Sequence, residues 1–355
     1  MLLAFRNGKL LTDAGIEADR TLLVRDGRIE AVVGAREVVG ADQVVDLGGG
    51  LLVPGFIDAQ VNGGGGVLFN DEPTVDTIAA IARAHRQFGT TGFLPTLISD
   101  DLDVVAQAIE AVRQAIASGI PGVLGIHIEG PFLNEKRRGV HDVTKLRELD
   151  GEAAKLLARP HGGVTMVTLA PERTTPQFIR QLSDAGVIVS AGHTNATYAE
   201  LQPALASGLR GFTHLFNAMS QMGSREPGAV GAALAHESSW CGLIVDGHHV
   251  HPEVMKLALR AKRHDRFMLV SDAMPSVGAA MKSFVLNGRP ITVNGKKLVD
   301  EDGRLAGADL DMASANPADF LALRDVGRMA RGQRANFALL DAELHVLRTW
   351  INGTE

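Results

Sequence analysis

The chain has 355 residues, 45% of them hydrophobic and 21% charged, which is ordinary for a globular protein and enough for one large domain or two modest ones. A formal net charge of −6 leaves no broad basic surface for nucleic acid or acidic lipid, so an anionic small substrate has to be met by local cations. The single Cys241 excludes an internal disulfide, and neither a secretory leader pattern nor an apolar run of about 18 residues is present; the expectation is a cytoplasmic protein with no membrane contact.

Residues 1–52 read as β structure. LLAFRNGKLLT, TLLVRDGRIEAVV and GGGLLVPG are short apolar runs broken by Asn-Gly and Asp-Gly turn signals. The C-terminal part, 329–355, contains RANFALLDAELHVLRTWING and has the same character. Isolated β runs need partners, so both chain ends are expected to build one small β-sandwich domain. Between them, across 53–328, eight apolar runs recur: LVPGFIDAQVNG, TTGFLPTL, VLGIHIEG, GVTMVTLAP, GVIVSAGHT, GFTHLFNAM, CGLIVDGHH and RFMLVSDAM. Their lack of alternation suits parallel strands buried on both faces. The intervals 75–88, 102–117, 176–185, 198–206 and 252–263 carry apolar residues at helical spacing. The expected class is α/β, a (β/α)8 TIM-like barrel, with an open doubly wound sheet as the alternative.

A barrel puts its chemistry at the carboxyl ends of its strands. Gln60, Asn62, Glu129, His193, His214, His249 and Asp272 all fall there. Glu129 closes VLGIHIEG, and Gly130-Pro131 ends the strand at once, leaving the carboxylate at the rim. His127 shares its face two residues earlier and reads as a packed histidine rather than a ligand. His193 in AGHTNATY and His214 in THLFNAM occupy matching rim positions on consecutive strands. One carboxylate with two imidazoles suits a hydrolytic Zn²⁺ or Fe²⁺, and Asp272, after RFMLVS, suits a general base. The blander readings are two structural histidines, a surface Glu129 and a helix cap at Asp272. His141 lies in the loop RGVHD, and the basic run 136–138 reads as a solvated face. DGHHVHP, with His248, His249 and His251, lacks the HExxH spacing and reads as a polar binding loop. The glycines at 63–66 lack the phosphate-loop spacing and read as a close backbone approach. Cys241, in an apolar run, reads as an inert buried thiol.

Taken together, these phrases resemble the N-acetylglucosamine-6-phosphate deacetylases of the amidohydrolase superfamily along nearly the whole chain. The resemblance rests on VPGFIDAQVNGGGG, HIEGPFLN, RGVHD, AGHTNATY, THLFNAMSQM, REPGAVGAAL, DGHHVHP, VSDAM and SANPADFLAL. It implies deacetylation of N-acetyl-D-glucosamine 6-phosphate to D-glucosamine 6-phosphate and acetate. It also implies one divalent metal per subunit, zinc or else iron, cobalt or manganese, on Glu129, His193 and His214. Asp272 is implied as general base and acid, and His141 as the group that polarises the acetyl carbonyl. Substrate contacts are implied for Val140, His141, Asn217, Ala218, His249, Leu305, Ala306 and Gly307. Arg225 is implied as a phosphate contact supplied across a homodimer.

Two departures qualify the match. Where many superfamily members have His-x-His on the first strand, this chain has Gln60-Val61-Asn62, so one metal is expected rather than two. After LAGADLDM the chain passes straight from Met312 to Ala313, where the resemblance implies at least one further helix of about 15 residues or more, an omission that could loosen barrel closure and weaken activity. Another amide specificity, or an impaired sugar-phosphate-binding homologue, are the alternatives.

Overall fold

The computed structural model describes residues 1–37, 40–295, 297–308 and 315–355. Eight parallel strands form the central sheet: Phe56–Val61, Thr90–Ile98, Gly125–Glu129, Val164–Leu169, Ile188–Ala191, Gly211–Phe212, Trp240–Leu243 and Phe267–Leu269. Each pairs with the next, and the two ends of the sheet meet just beyond the last strand. There Asp272 N–H donates to Gln60 O at 3.0 Å and Asn62 N–H donates to Ala273 O at 2.9 Å. The ring these contacts complete is the expected barrel, and the open sheet is excluded.

All nine residues of Thr90–Ile98 are buried, which is why the strand shows no alternation of apolar and polar residues. In Gly125–Glu129 successive side chains still face opposite ways. Ile126 and Ile128 join Ile109 and Val112 of the helix Leu102–Ala117 in the main core, while His127 and Glu129 face the other side. The helices Val75–Arg86, Leu102–Ala117, Pro176–Asp184, Tyr198–Ala206 and Pro252–Ala261 occupy the predicted intervals. Three begin on a threonine cap: Thr74, Thr175 and Thr197 accept from the third backbone N–H beyond them. Thr197 and Glu200 complete a reciprocal capping box, which pins the chain four residues after His193.

Both chain ends contribute to one five-stranded sheet, in which Leu51–Pro54 is flanked by Lys9–Thr12 and Phe337–Leu340. A four-stranded sheet centred on Leu2–Arg6 and Arg20–Arg25 packs against it through Leu3, Phe5, Leu22, Leu52, Phe337 and Trp350. Phe5 meets Phe337 and Trp350 edge-on, with ring centroids 5.6 and 5.4 Å apart, so the first strand is fastened directly to the last two.

One element is unexpected. After the eighth barrel strand, Ser283–Leu286, Arg289–Asn294, Lys297–Val299 and Leu305–Ala308 form an antiparallel sheet. Ala308 N–H donates to Asp272 O at 3.0 Å, so this sheet lies against the end of the last barrel strand. The junction of Met312 and Ala313 lies outside the described residues. Among the described residues no helix is long and apolar enough to cross a membrane.

Candidate active site

Glu129, His193 and His214 converge from the ends of the third, fifth and sixth barrel strands, and all three are buried. Glu129 Oε1 lies 3.1 Å from His193 Nε2 and 3.0 Å from His214 Nε2, and the two imidazole nitrogens are 3.1 Å apart. His193 Nδ1 sits 2.8 Å from the carbonyl oxygen of Arg137, which can only accept. The proton of a neutral His193 is therefore on Nδ1, and Nε2 turns a lone pair toward a carboxylate oxygen. A cation between them satisfies two acceptors that face each other, and a carboxylate with two imidazoles could hold a borderline divalent ion. The electrostatics agree. Burial by itself would raise the Glu129 carboxyl, but the neighbouring imidazoles of His193 and His214 outweigh it and hold it well below its usual range. Burial likewise opposes charge on His214, yet Glu129 outweighs it and raises that imidazole.

The turns that aim these side chains are strained. His193 has φ 46°, His214 φ 34° and Asp272 φ 52°, all in the left-handed region that non-glycine residues avoid. Each such residue costs on the order of 1–3 kcal/mol and persists only where its surroundings over-determine it.

Asp272 Oδ1 accepts from Asn62 Nδ2 at 2.7 Å and from Gln60 Nε2 at 3.0 Å, and the Gln60 amide also donates to Glu129 Oε2 at 3.1 Å. The Gln60 amide thus stands between the carboxyls of Glu129 and Asp272, while the Asn62 amide holds Asp272 alone. Burial foremost, and then the charge of Glu129, push Asp272 up to about 6, while Asn62 pulls it back. That puts it in the range useful for proton transfer near neutrality.

His141 is buried with its ring centroid 4.5 Å from that of His193. Ser99 N–H donates to His141 Nδ1 at 3.2 Å, and Ser99 Oγ lies 2.8 Å from the same atom. A backbone N–H only donates, so Nδ1 carries the lone pair and Nε2 carries the proton. Burial, then His193, push this imidazole down to about 3, which keeps it a neutral donor. Gly130 makes room for the arrangement: a Cβ there would stand 2.2 Å from Ser99 Oγ.

A cavity of about 490 Å³ opens above these groups. Glu129, His141, His193, His214 and Asp272 line its inner part, and Val140, Asn217, Ala218 and His249 line its walls. His249 Nδ1 meets Asp246 Oδ2 at 2.7 Å; burial opposes the Asp246 charge, but His249 holds the carboxyl at about 2. Leu305 and Gly307 reach the cavity on the antiparallel sheet, whereas Ala306 between them is buried and faces away. Arg225 is exposed and lies outside the cavity of its own chain. The basic run 136–138, read from sequence as a solvated face, keeps Lys136 exposed and also lines the cavity together with Arg304. His127 is no part of the trio: Thr96 Oγ1 and Thr168 Oγ1 take up its two ring nitrogens at 3.2 and 2.8 Å. Cys241 is buried and unpaired, and burial pushes its thiol up to about 12. Ser99, Gln60 as a bridge and Arg304 are site features that the sequence reading did not single out.

Comparison with known proteins agrees with this geometry. The sequence model of the Amidohydrolase family matches residues 51–355. The N-acetylgalactosamine-6-phosphate deacetylase of Shewanella sp. (strain ANA-3) is 41% identical, over 97% of this chain and 93% of its own length. The N-acetylglucosamine-6-phosphate deacetylase of Haemophilus influenzae is 32% identical, over 99% of each. The crystal structure of N-acetylglucosamine-6-phosphate deacetylase from Pasteurella multocida superposes with a TM-score of 0.96 at 32% identity, covering 99% of both chains. On the strength of the matched length and the fold, this chain belongs to the amidohydrolase family.

Proposed function

We propose that the protein hydrolyses the acetamide of N-acetyl-D-glucosamine 6-phosphate, releasing acetate and D-glucosamine 6-phosphate. The observation that carries this reading is the buried convergence of Glu129, His193 and His214, with the Asp272 carboxyl linked to Glu129 through the Gln60 amide. Full-length relatives with deacetylase names support the substrate class.

In this reading Glu129, His193 and His214 hold one divalent ion, zinc being the first choice and iron, cobalt or manganese compatible with the same donors. When bound, such an ion supplies Lewis-acid polarisation and lowers the pKa of water toward about 7. Asp272 takes a proton from the attacking water as its oxygen bonds to the acetyl carbon. His141 Nε2–H donates to the carbonyl oxygen as negative charge develops there. Asp272 then returns the proton to the nitrogen as the C–N bond breaks, leaving a free amine and acetic acid, which ionises to acetate by giving its proton to solvent. Val140, Asn217, Ala218, His249 and the 305–307 segment, Ala306 through its backbone, hold the sugar phosphate. Arg225 meets the phosphate from a second copy of the chain in a homodimer, since it lies outside its own cavity. Remote binding of the phosphate fixes the acetamide against the reacting groups. The setting we propose is cytoplasmic amino-sugar metabolism.

A second reading differs only at C4 of the sugar. The 41% identity to a protein named for N-acetylgalactosamine 6-phosphate favours the epimer as a substrate. Acetate release from both phosphorylated sugars and from unphosphorylated N-acetylglucosamine tests the two readings together. Phosphate-dependent turnover is expected, with the higher kcat/KM identifying the epimer. Equal turnover of the unphosphorylated sugar would contradict both.

A further inference from the structure

We propose that Glu172 is a positioning residue that sets the metal affinity of the site by locking the loops that carry Glu129 and His193; this rests on the reading of Glu129, His193 and His214 as metal ligands. Glu172 lies in the short turn Pro171–Arg173 after the fourth barrel strand, which contributes no ligand itself. Both its oxygens are engaged. Oε1 accepts from Asn134 Nδ2 at 2.9 Å and from Asn195 N–H at 2.6 Å, and Oε2 accepts from Thr194 Oγ1 at 2.6 Å.

These three partners belong to the ligand loops. Asn134 lies on the loop following Glu129, and its own N–H donates to His193 O at 2.9 Å. Thr194 and Asn195 come directly after His193. Thr194 in turn bonds the loop after His214, donating to Ala218 O at 3.1 Å and accepting from Ser220 N–H at 3.0 Å. One carboxyl group therefore stands where the loops of the third, fifth and sixth strands cross. His193 and His214 hold left-handed backbone conformations that relax unless their neighbours fix them. Releasing Glu172 removes its bonds to both residues after His193, and loosens with them the direction in which the His193 Nε2 points. Groups that orient metal ligands from outside the coordination shell change metal affinity by about 10–100-fold when removed.

The test is a zinc titration of the full chain against a competing chelator, with the melting temperature of the metal-free protein measured alongside. Glu172→Ala is expected to lose about tenfold or more in affinity. Glu172→Gln keeps the acceptor for Asn134 and Asn195 and is expected to recover most of that loss. Asp341→Ala removes two backbone hydrogen bonds from a distant hairpin and is expected to leave affinity unchanged. If Glu172→Ala does not fold, Asn134→Ala and Thr194→Val each cut one arm and are expected to weaken affinity separately. Wild-type affinity in folded Glu172→Ala, or in both single-arm variants, would overturn the role of Glu172 alone. Wild-type protein that binds no metal would overturn the ligand reading and this inference with it.

Discussion

Asn62 donates a 2.7 Å hydrogen bond from Nδ2 to Asp272 Oδ1, linking the first barrel strand to the end of the eighth at the carboxyl group assigned the proton transfers. The amide stabilises the ionised form, whereas burial, the largest influence, pushes Asp272 up to about 6. A general base works only when ionised. On the acid side kcat/KM should therefore fall as pH drops through the Asp272 pKa, at or below about 6 because a bound cation also favours the carboxylate. Asn62→Leu removes a donor to the ionised form, so its acid limb should move to higher pH. A pH–rate profile with the acid limb unmoved would contradict this link.

Asp272→Asn preserves the shape of the side chain but cannot accept a proton from water. Turnover should fall by about a hundred- to ten-thousand-fold, the usual worth of a positioned acid or base. Metal content, measured by elemental analysis, should stay at the wild-type value, because Asp272 is not one of the three converging donors. Near-normal turnover would remove Asp272 from the mechanism.

Arg225 is exposed and away from its own cavity, so a role in binding phosphate has to act between subunits. Hydrogen bonds to charged groups contribute about 1.5–3 kcal/mol, and Arg225→Ala should raise KM roughly ten- to hundredfold with little change in kcat. Mixing Arg225→Ala with Asp272→Asn chains should restore some wild-type-like sites. No recovery on subunit exchange would place any effect of Arg225 within its own chain.

Removing the metal should cost stability as well as activity. Glu129, His193 and His214 come from three separate strands, and a ligand that binds only the folded state at a hundredfold excess over its Kd contributes about 2.7 kcal/mol. Chelation should lower the melting temperature, and adding zinc should restore it. An unchanged melting temperature across that cycle would contradict a site that joins the three strands.

The barrel was legible because its strands are apolar without alternation and its helices keep their periodicity, both direct consequences of burial on two faces or one. The convergence of Glu129, His193, His214 and Asp272 was legible because each stands where an apolar run stops. The left-handed turns at His193, His214 and Asp272 were not, since histidine and aspartate are enriched at positive φ but adopt it only uncommonly. Glu172 and Ser99 were hidden for another reason: their partners lie 22 to 42 residues away and come together only in the fold. The antiparallel sheet did carry a signal. Asn287-Gly288, with φ 50° and 74°, forms the tight hairpin turn that Asn-Gly favours, inside an alternating stretch. That the partly exposed 136–138 run also borders the cavity was not legible, because charge alone does not say what a solvated face adjoins.

The most direct measurement is acetate release from N-acetyl-D-glucosamine 6-phosphate by zinc-loaded protein, repeated after chelation and again after zinc is returned. The account predicts turnover that disappears with the metal and comes back with it. Turnover indifferent to chelation, or none from folded protein carrying one zinc per chain, would contradict it.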